Sequence, residues 1–248
     1  MALPEQHERI QAATVPAQAL LARLRAFCFP GGEDAARGVL SVCTTQIGEM
    51  RMSPGARWIP FISEETIDAT RSSFRWEARL DPGKLGRPTV IDAYEEGHGR
   101  LVVKLGGVLP VKKITGPQAD RGELQRYLAS LVFCPPMLVN HPSLDWAAVG
   151  PHTLRLRERD DPTGATVDLE INEQGRPLVC RADRPRISRK EAVLTPWSGT
   201  CTEFREWEGL RIPSRLEVAW HLPEEAFTYF RAEITSFAAL RRDCALAL

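Results

Sequence analysis

Hydrophobic and polar residues alternate with a period of two along most of this chain. Phe74, Trp76, Ala78 and Leu80 alternate with Ser73, Arg75, Glu77 and Arg79, as in a strand with one buried face. The rhythm returns in Leu101-x-Val103-x-Leu105, Leu154-x-Leu156, Val167-x-Leu169-x-Ile171, Leu178-x-Cys180-x-Ala182, and from Ile212 through Ser214, Leu216 and Val218 to Trp220. Turn signals separate the runs, among them Ser53-Pro54-Gly55, Asp81-Pro82-Gly83, Glu96-Gly97-His98-Gly99, Asp161-Pro162-Thr163-Gly164 and Glu208-Gly209. The pattern predicts about ten or eleven strands, and the short connections make them mostly antiparallel.

Two segments carry helical spacing instead. Ala17, Leu20, Leu21, Leu24 and Cys28 share one face of a helix that Thr14 would cap, with Pro16 in its first turn and Pro30-Gly31-Gly32 as its stop. A second helix is expected to begin at Asp120, paired with Glu123 in a capping-box-like arrangement. Its apolar stripe is Leu124, Tyr127, Leu128 and Leu131, and Pro135-Pro136 should end it. Pro135 to Pro151 reads as the longest irregular connection.

Areas turn these elements into an architecture. Eleven strands about 4.8 Å apart would make a flat sheet roughly 50 Å wide. Two helices, each about 10 Å across, cover less than half of one face. Most strands nevertheless bring an apolar face, and each large side chain left in water forgoes about 1.5–3 kcal/mol. The sheet must therefore curl. The expected fold is mainly β (α+β): a large curved antiparallel sheet or half-barrel wrapped around a central helix, preceded by an N-terminal helix. The expected division is residues 1–36 as an N-terminal helical segment and 37–248 as a single curved-sheet domain. Either packed side chains or a guest molecule must fill the concavity.

Composition narrows the functional classes. With 32 basic and 32 acidic residues in 248, no bulk positive field would draw a nucleic acid or an anionic membrane. No nucleic-acid partner is expected. The N-terminus lacks a basic start followed by an apolar core, so it does not read as a secretory signal. The longest uncharged stretch is broken by Pro135, Pro136 and Pro142, so no transmembrane segment is expected. Cysteines at 28, 43, 134, 180, 201 and 244 form no C-x-x-C pair. They read as reduced thiols of a cytoplasmic protein.

The C-terminal third contains Thr195-Pro196-Trp197, Phe204-Arg205-Glu206-Trp207-Glu208-Gly209-Leu210-Arg211-Ile212-Pro213, Glu217-Val218-Ala219-Trp220 and Phe227-x-Tyr229-x-Arg231. Its hairpin at Glu208-Gly209, with a proline closing the second strand, resembles one in half-barrel carriers of bacterial lipoproteins. From about Arg37 to Phe237 the chain resembles an uncharacterised bacterial family, a domain of unknown function. Gly48-Glu49-Met50-Arg51, Phe74-x-Trp76-x-Ala78, Asp92-Ala93-Tyr94, Gly97-x-Gly99 and the helix Gly122 to Leu128 carry that likeness. The resemblance implies a curved antiparallel sheet wrapped around helices and supplies no activity. It also implies an acidic residue where this chain has Ser130.

Motifs of catalysis are sparse. His7, His98, His141, His152 and His221 are dispersed, with no H-E-x-x-H, and Trp197-Ser198-Gly199 lacks the first glycine of a nucleophile elbow. No metal site and no cofactor are expected. Glu123 stands beside Arg126 and Tyr127 on the central helix. Its bland role is completing the helix cap, and its sharper role is to orient a mostly apolar ligand at the mouth of the concavity. Glu49, Arg51 and Asp92 are weaker candidates of the same kind. The expected ligand-binding set is Phe74, Trp76, Leu101, Val103, Leu105, Glu123, Arg126, Tyr127, Leu131, Trp197 and Trp220. Three functions remain open: a binding or carrier protein for an apolar or amphiphilic, lipid-like small molecule; an enzyme, a hydrolase or isomerase, using carboxylates and a histidine such as His98 in the same cavity; or a non-catalytic protein-interaction module.

Overall fold

The computed structural model describes residues 16–83, 86–188 and 191–242. Thr14, His7 and Cys244 lie outside them. Helix α1 (Ala17–Cys28) leads into a 3-10 turn (Glu33–Ala36) and six strands: β1 (Val39–Met50), β2 (Ile59–Asp68), β3 (Phe74–Leu80), β4 (Thr89–Glu95), β5 (His98–Leu105) and β6 (Leu109–Ile114). A helical crossing follows, made of α2 (Pro117–Ser130), a 3-10 turn (Leu131–Phe133) and α3 (Pro135–Asn140). Seven strands complete the chain: β7 (Leu144–Gly150), β8 (Thr153–Glu158), β9 (Val167–Ile171), β10 (Pro177–Ser188), β11 (Glu191–Trp207), β12 (Leu210–His221) and β13 (Ala226–Arg241).

All thirteen strands join one sheet in the order β6-β5-β4-β3-β2-β1-β13-β12-β11-β10-β9-β8-β7. Each neighbouring pair is antiparallel, and the last strand pairs with the first from Val39↔Arg241 to Met50↔Phe230. The sheet stays open, because β6 and β7 are its two ends. Ser72, in the β2–β3 turn, donates to Glu158 Oε1 of β8 at 2.6 Å and lies 3.0 Å from His141 Nε2. In a flat sheet β2 and β8 would be roughly 34 Å apart, seven strand spacings, so this contact measures how far the sheet curls. The expected half-barrel around a central helix is the fold observed.

Helix α2 lies in the concavity, with Leu124, Tyr127 and Leu128 fully buried. Helix α1 closes another stretch of core through Leu20, Leu21, Leu24 and Cys28, and Arg25 ties it to α3 by donating to Val139 O and Asn140 Oδ1.

Three expectations about the helices need correction. The second helix begins at Pro117 with Gly116 as its N-cap, and no capping side-chain bond forms. Asp120 instead accepts the Gly99 N–H at 2.8 Å, docking the helix on β5. Its Oδ1 is thereby committed to the sheet. Glu123 makes no cap either. Pro135 and Pro136 do not end a helix; they occupy the first turn of α3, where the missing N–H is harmless. The stretch read as irregular therefore holds α3 and β7. The sheet has more strands than the alternation counted because β6 is exposed at nearly every position and presents no apolar phase.

Candidate functional site

The floor of the concavity is built from polar residues placed in an apolar phase. On β2, Phe61, Ser63, Glu65 and Ile67 all point inward, while Ile62 between them is 55% exposed. On β1, Val42, Thr44 and Gln46 do the same. These side chains satisfy one another. Gln46 Nε2 donates to Glu65 Oε2 at 3.0 Å and to Thr44 Oγ1 at 3.2 Å. Gln46 Oε1 accepts from Ser63 Oγ and from Trp76 Nε1. Ser130, at the end of α2, donates to Glu65 Oε1 at 3.1 Å. An acid at this position, as the family resemblance implies, would set two carboxyl groups against each other; the serine supplies a donor. Burial pushes the Glu65 carboxyl above its ordinary pKa, opposed by the Arg126 guanidinium and by the Ser130 and Gln46 hydrogen bonds.

Helix α2 contributes Gly122, Glu123, Arg126 and Ser130 to the same space, the face expected for helical spacing. Arg126 pairs with Asp92 of β4 and lies over the Trp76 ring, 4.7 Å from its centroid. Burial lifts the Glu123 carboxyl from 4.5 to about 7, against the opposing Arg184 guanidinium. Arg184, on β10, donates to Gly122 O at 2.7 Å and lies over Trp197. Trp197 Nε1 donates to the Tyr229 hydroxyl at 3.1 Å, and Tyr229 stacks on Trp220.

These residues enclose a cavity of about 380 Å3 between the sheet and α2, within the range of about 300–1,000 Å3 usual for small-molecule sites. Its apolar wall includes Trp76, Val103, Leu216, Val218, Trp220 and Phe230. Asp92, Glu123 and Arg184 also line it, and each keeps a buried polar atom (Oδ1, Oε2 and Nε) with no hydrogen-bond partner among the described residues. Unpaired buried groups cost about 1–3 kcal/mol each, so the wall carries polar capacity that a guest could satisfy.

The structure brings seven of the sequence candidates to this cavity: Trp76, Leu101, Val103, Glu123, Arg126, Trp197 and Trp220. Phe74, Tyr127 and Leu131 are core residues away from its wall, and Leu105 is 43% exposed on the β5–β6 hairpin. Of the weaker candidates, Asp92 lines the cavity. Glu49 pairs instead with Arg231, and Arg51 donates to Thr228 O and packs over Trp58. Gln46, Glu65, Ser130, Arg184 and Tyr229 were not anticipated. The signal for the β2 residues was available, since Phe61 and Ile67 fix the inward phase that Ser63 and Glu65 must share.

Two of the described histidines, His98 and His141, form no catalytic relay. His98 is exposed on the β4–β5 turn. His141 sits beside Ser72, Glu158 and Tyr127, but its Nδ1 accepts the Ser143 N–H. The ring proton is then on Nε2, facing Ser72, and the carboxylate bonds the serine rather than the imidazole. That connectivity is the reverse of a serine–histidine–acid relay. Among the described residues no group of histidine, cysteine and carboxylate side chains could hold a metal ion, and no helix is long and apolar enough to cross a membrane.

Comparison with known proteins follows from this geometry. Residues 27–232 match a family described as a family of unknown function (DUF6544). None of the curated proteins matches the sequence. Among solved structures, a domain from Vibrio parahaemolyticus assigned to outer-membrane lipoprotein sorting superposes with TM-score 0.51 at 7% identity, over 92% of this chain and 96% of that one. A DUF1329 family protein from Desulfovibrio piger gives TM-score 0.51 at 8% identity, covering 91% and 94%. A LolA superfamily protein from Nitrosomonas europaea gives TM-score 0.48 at 13% identity, covering 92% and 94%. At such identities the likeness concerns the fold alone.

Proposed function

The chain belongs to the DUF6544 family, and we propose from its cavity that it is a binding or carrier protein for an amphiphilic, lipid-like small molecule held between the sheet and α2. One observation carries the proposal: a cavity of about 380 Å3 walled by indole and aliphatic side chains, with Asp92, Glu123, Arg126 and Arg184 gathered on it. An apolar chain against Trp76, Leu101, Val103 and Trp220 would gain roughly 25 cal/mol per Å2 of surface withdrawn from water. A polar head placed between Glu123 and Arg184 would satisfy atoms that otherwise lack partners. The shared architecture with the Vibrio lipoprotein-sorting domain supports a carrier role. The free thiols among the described residues, Cys28, Cys43, Cys134, Cys180 and Cys201, support a cytoplasmic location. In this reading residues 1–36 are the N-terminal helical segment and 37–248 the single domain that holds the ligand.

Native mass spectrometry of the purified chain tests the proposal, together with titration of stripped protein with a fluorescent fatty-acyl probe. The expected result is a bound mass released by organic solvent, and a saturable probe site weakened at least tenfold by Trp220→Ala. Ligand-free protein that also fails to bind the probe would refute it.

A further inference from the structure

The apolar wall of the cavity does not stop at its mouth. Leu101 and Val103 on β5, with Lys112 and Ile114 on β6, line the cavity. They are cross-strand partners, Leu101↔Ile114 and Val103↔Lys112, and beyond an irregularity Leu105↔Leu109 is the final pair. The irregularity absorbs Val111, so Leu105 and Leu109 continue the face of Leu101 and Val103 outward. Among the described residues nothing covers that continuation. Leu105 is 43% exposed, Leu109 64%, Val111 51% and Val108, at the hairpin tip, 82%.

Two further segments frame the mouth. Met52, on the β1–β2 turn, lines the cavity while 64% exposed. Pro185 and Arg186 of β10 line it too, and their partners across the β10–β11 hairpin are Leu194 and Val193, each about half exposed.

The charge of this rim is mostly basic, although the whole chain is neutral; the β12–β13 turn, between the Met52 turn and the β10–β11 hairpin in strand order, brings two acids, Glu224 and Glu225. From Leu101 to Gln118 the sequence contains Lys104, Lys112 and Lys113 and no acid. From Met50 to Ser63 it contains Arg51 and Arg57 and no acid. At the β10–β11 hairpin, Arg186 lines the cavity mouth and Glu191 opens β11.

We propose that the β5–β6 hairpin, together with the Met52 turn and the β10–β11 hairpin, docks the cavity mouth on an anionic lipid bilayer. Exposed aliphatic tips enter the boundary between headgroups and acyl chains, and the lysines beside them lie at the level of the phosphates. A two-fold dimer through the same face would set lysine against lysine, and the basic rim disfavours it. The apolar strip would let an acyl chain pass between bilayer and cavity without crossing water. That purpose rests on the amphiphile reading, whereas the docking itself does not.

The test is flotation of the full chain with phosphatidylcholine vesicles, with and without phosphatidylglycerol. The double variants V108D/L109D and K104E/K113E alter exposed or half-exposed hairpin positions away from the cavity wall. The expected result is flotation on anionic vesicles only, released by high salt. Each lysine should contribute roughly fivefold to partitioning, and each double variant should lower it at least tenfold while the melting temperature and acyl-probe binding stay unchanged. Wild-type protein that ignores anionic vesicles, floats equally on neutral ones, or floats as well after either substitution would overturn the proposal. So would light scattering that shows a wild-type dimer dissolved by V108D/L109D, which would assign the hairpin to a second copy. Vesicle binding without probe binding would leave docking standing and remove the amphiphile reading; the reverse result would remove docking alone.

Discussion

Replacing Glu123 by glutamine should make the protein more stable, and only on the alkaline side. The carboxyl is buried on α2 with Oε2 unpartnered, and burial raises its pKa from 4.5 to about 7 despite Arg184. Between those values the folded chain holds a proton that the unfolded chain has released, so stability falls as pH rises through that window. Each pH unit there is worth about 1.4 kcal/mol, and the loss accumulates to about 3 kcal/mol once the folded carboxyl has ionised, above about pH 8. Glutamine keeps the shape without the charge. It also gives up the attraction to Arg184, which trims the gain. On ligand-stripped protein, E123Q should match the wild type near pH 5 and exceed it by about 2–3 kcal/mol near pH 8.5. Urea unfolding followed by tryptophan fluorescence across that range measures the difference. Parallel stability curves for the two proteins would refute the reasoning, because they would mean that ionising Glu123 costs the fold nothing.

Two further predictions concern how the concavity is held shut. A methyl group at Gly99 would stand 2.2 Å from Ala119 O and 2.9 Å from Asp120 N, backbone that cannot yield without lifting α2 off β5. Gly99→Ala should therefore cost about 3 kcal/mol or more, and a urea midpoint shift equivalent to less than about 1 kcal/mol would contradict the close approach. Burial lowers the His141 ring from 6.5 to about 4, so between those values the unfolded chain takes up a proton that the folded chain refuses. Stability falls as pH drops through that window. His141→Gln should flatten this acid limb in a series of melting curves, and an unchanged slope would place the titrating group elsewhere.

The curvature was legible in the sequence because it follows from a surplus of apolar strand faces over helical cover, which needs no knowledge of connectivity. Strands escaped notice where burial hides the alternation. Thr89 to Tyr94 in β4 are buried at every position, since α2 covers one face, while Leu109 to Lys113 in β6 are exposed at every position. The site was half legible. Trp76, Val103 and Trp220 declare themselves by phase, and Glu123 and Arg126 by their place on the apolar helix. Glu65 did not, because Ser63-Glu64-Glu65-Thr66 reads as a solvated run until Phe61 and Ile67 are used to set its register. Arg184 was invisible for another reason. Its interest comes from Gly122 O and Trp197, neighbours supplied by distant parts of the chain.

The pairing of β1 with β13 joins segments nearly the whole chain apart, Val39 with Arg241 at one end. During synthesis the first six strands emerge with one flank of β1 bare, and it stays bare until β13 has left the ribosome. Such non-local closure slows maturation and leaves a sticky template for neighbouring nascent chains. Messages truncated ahead of the β13 codons should therefore yield aggregates rather than a shortened protein.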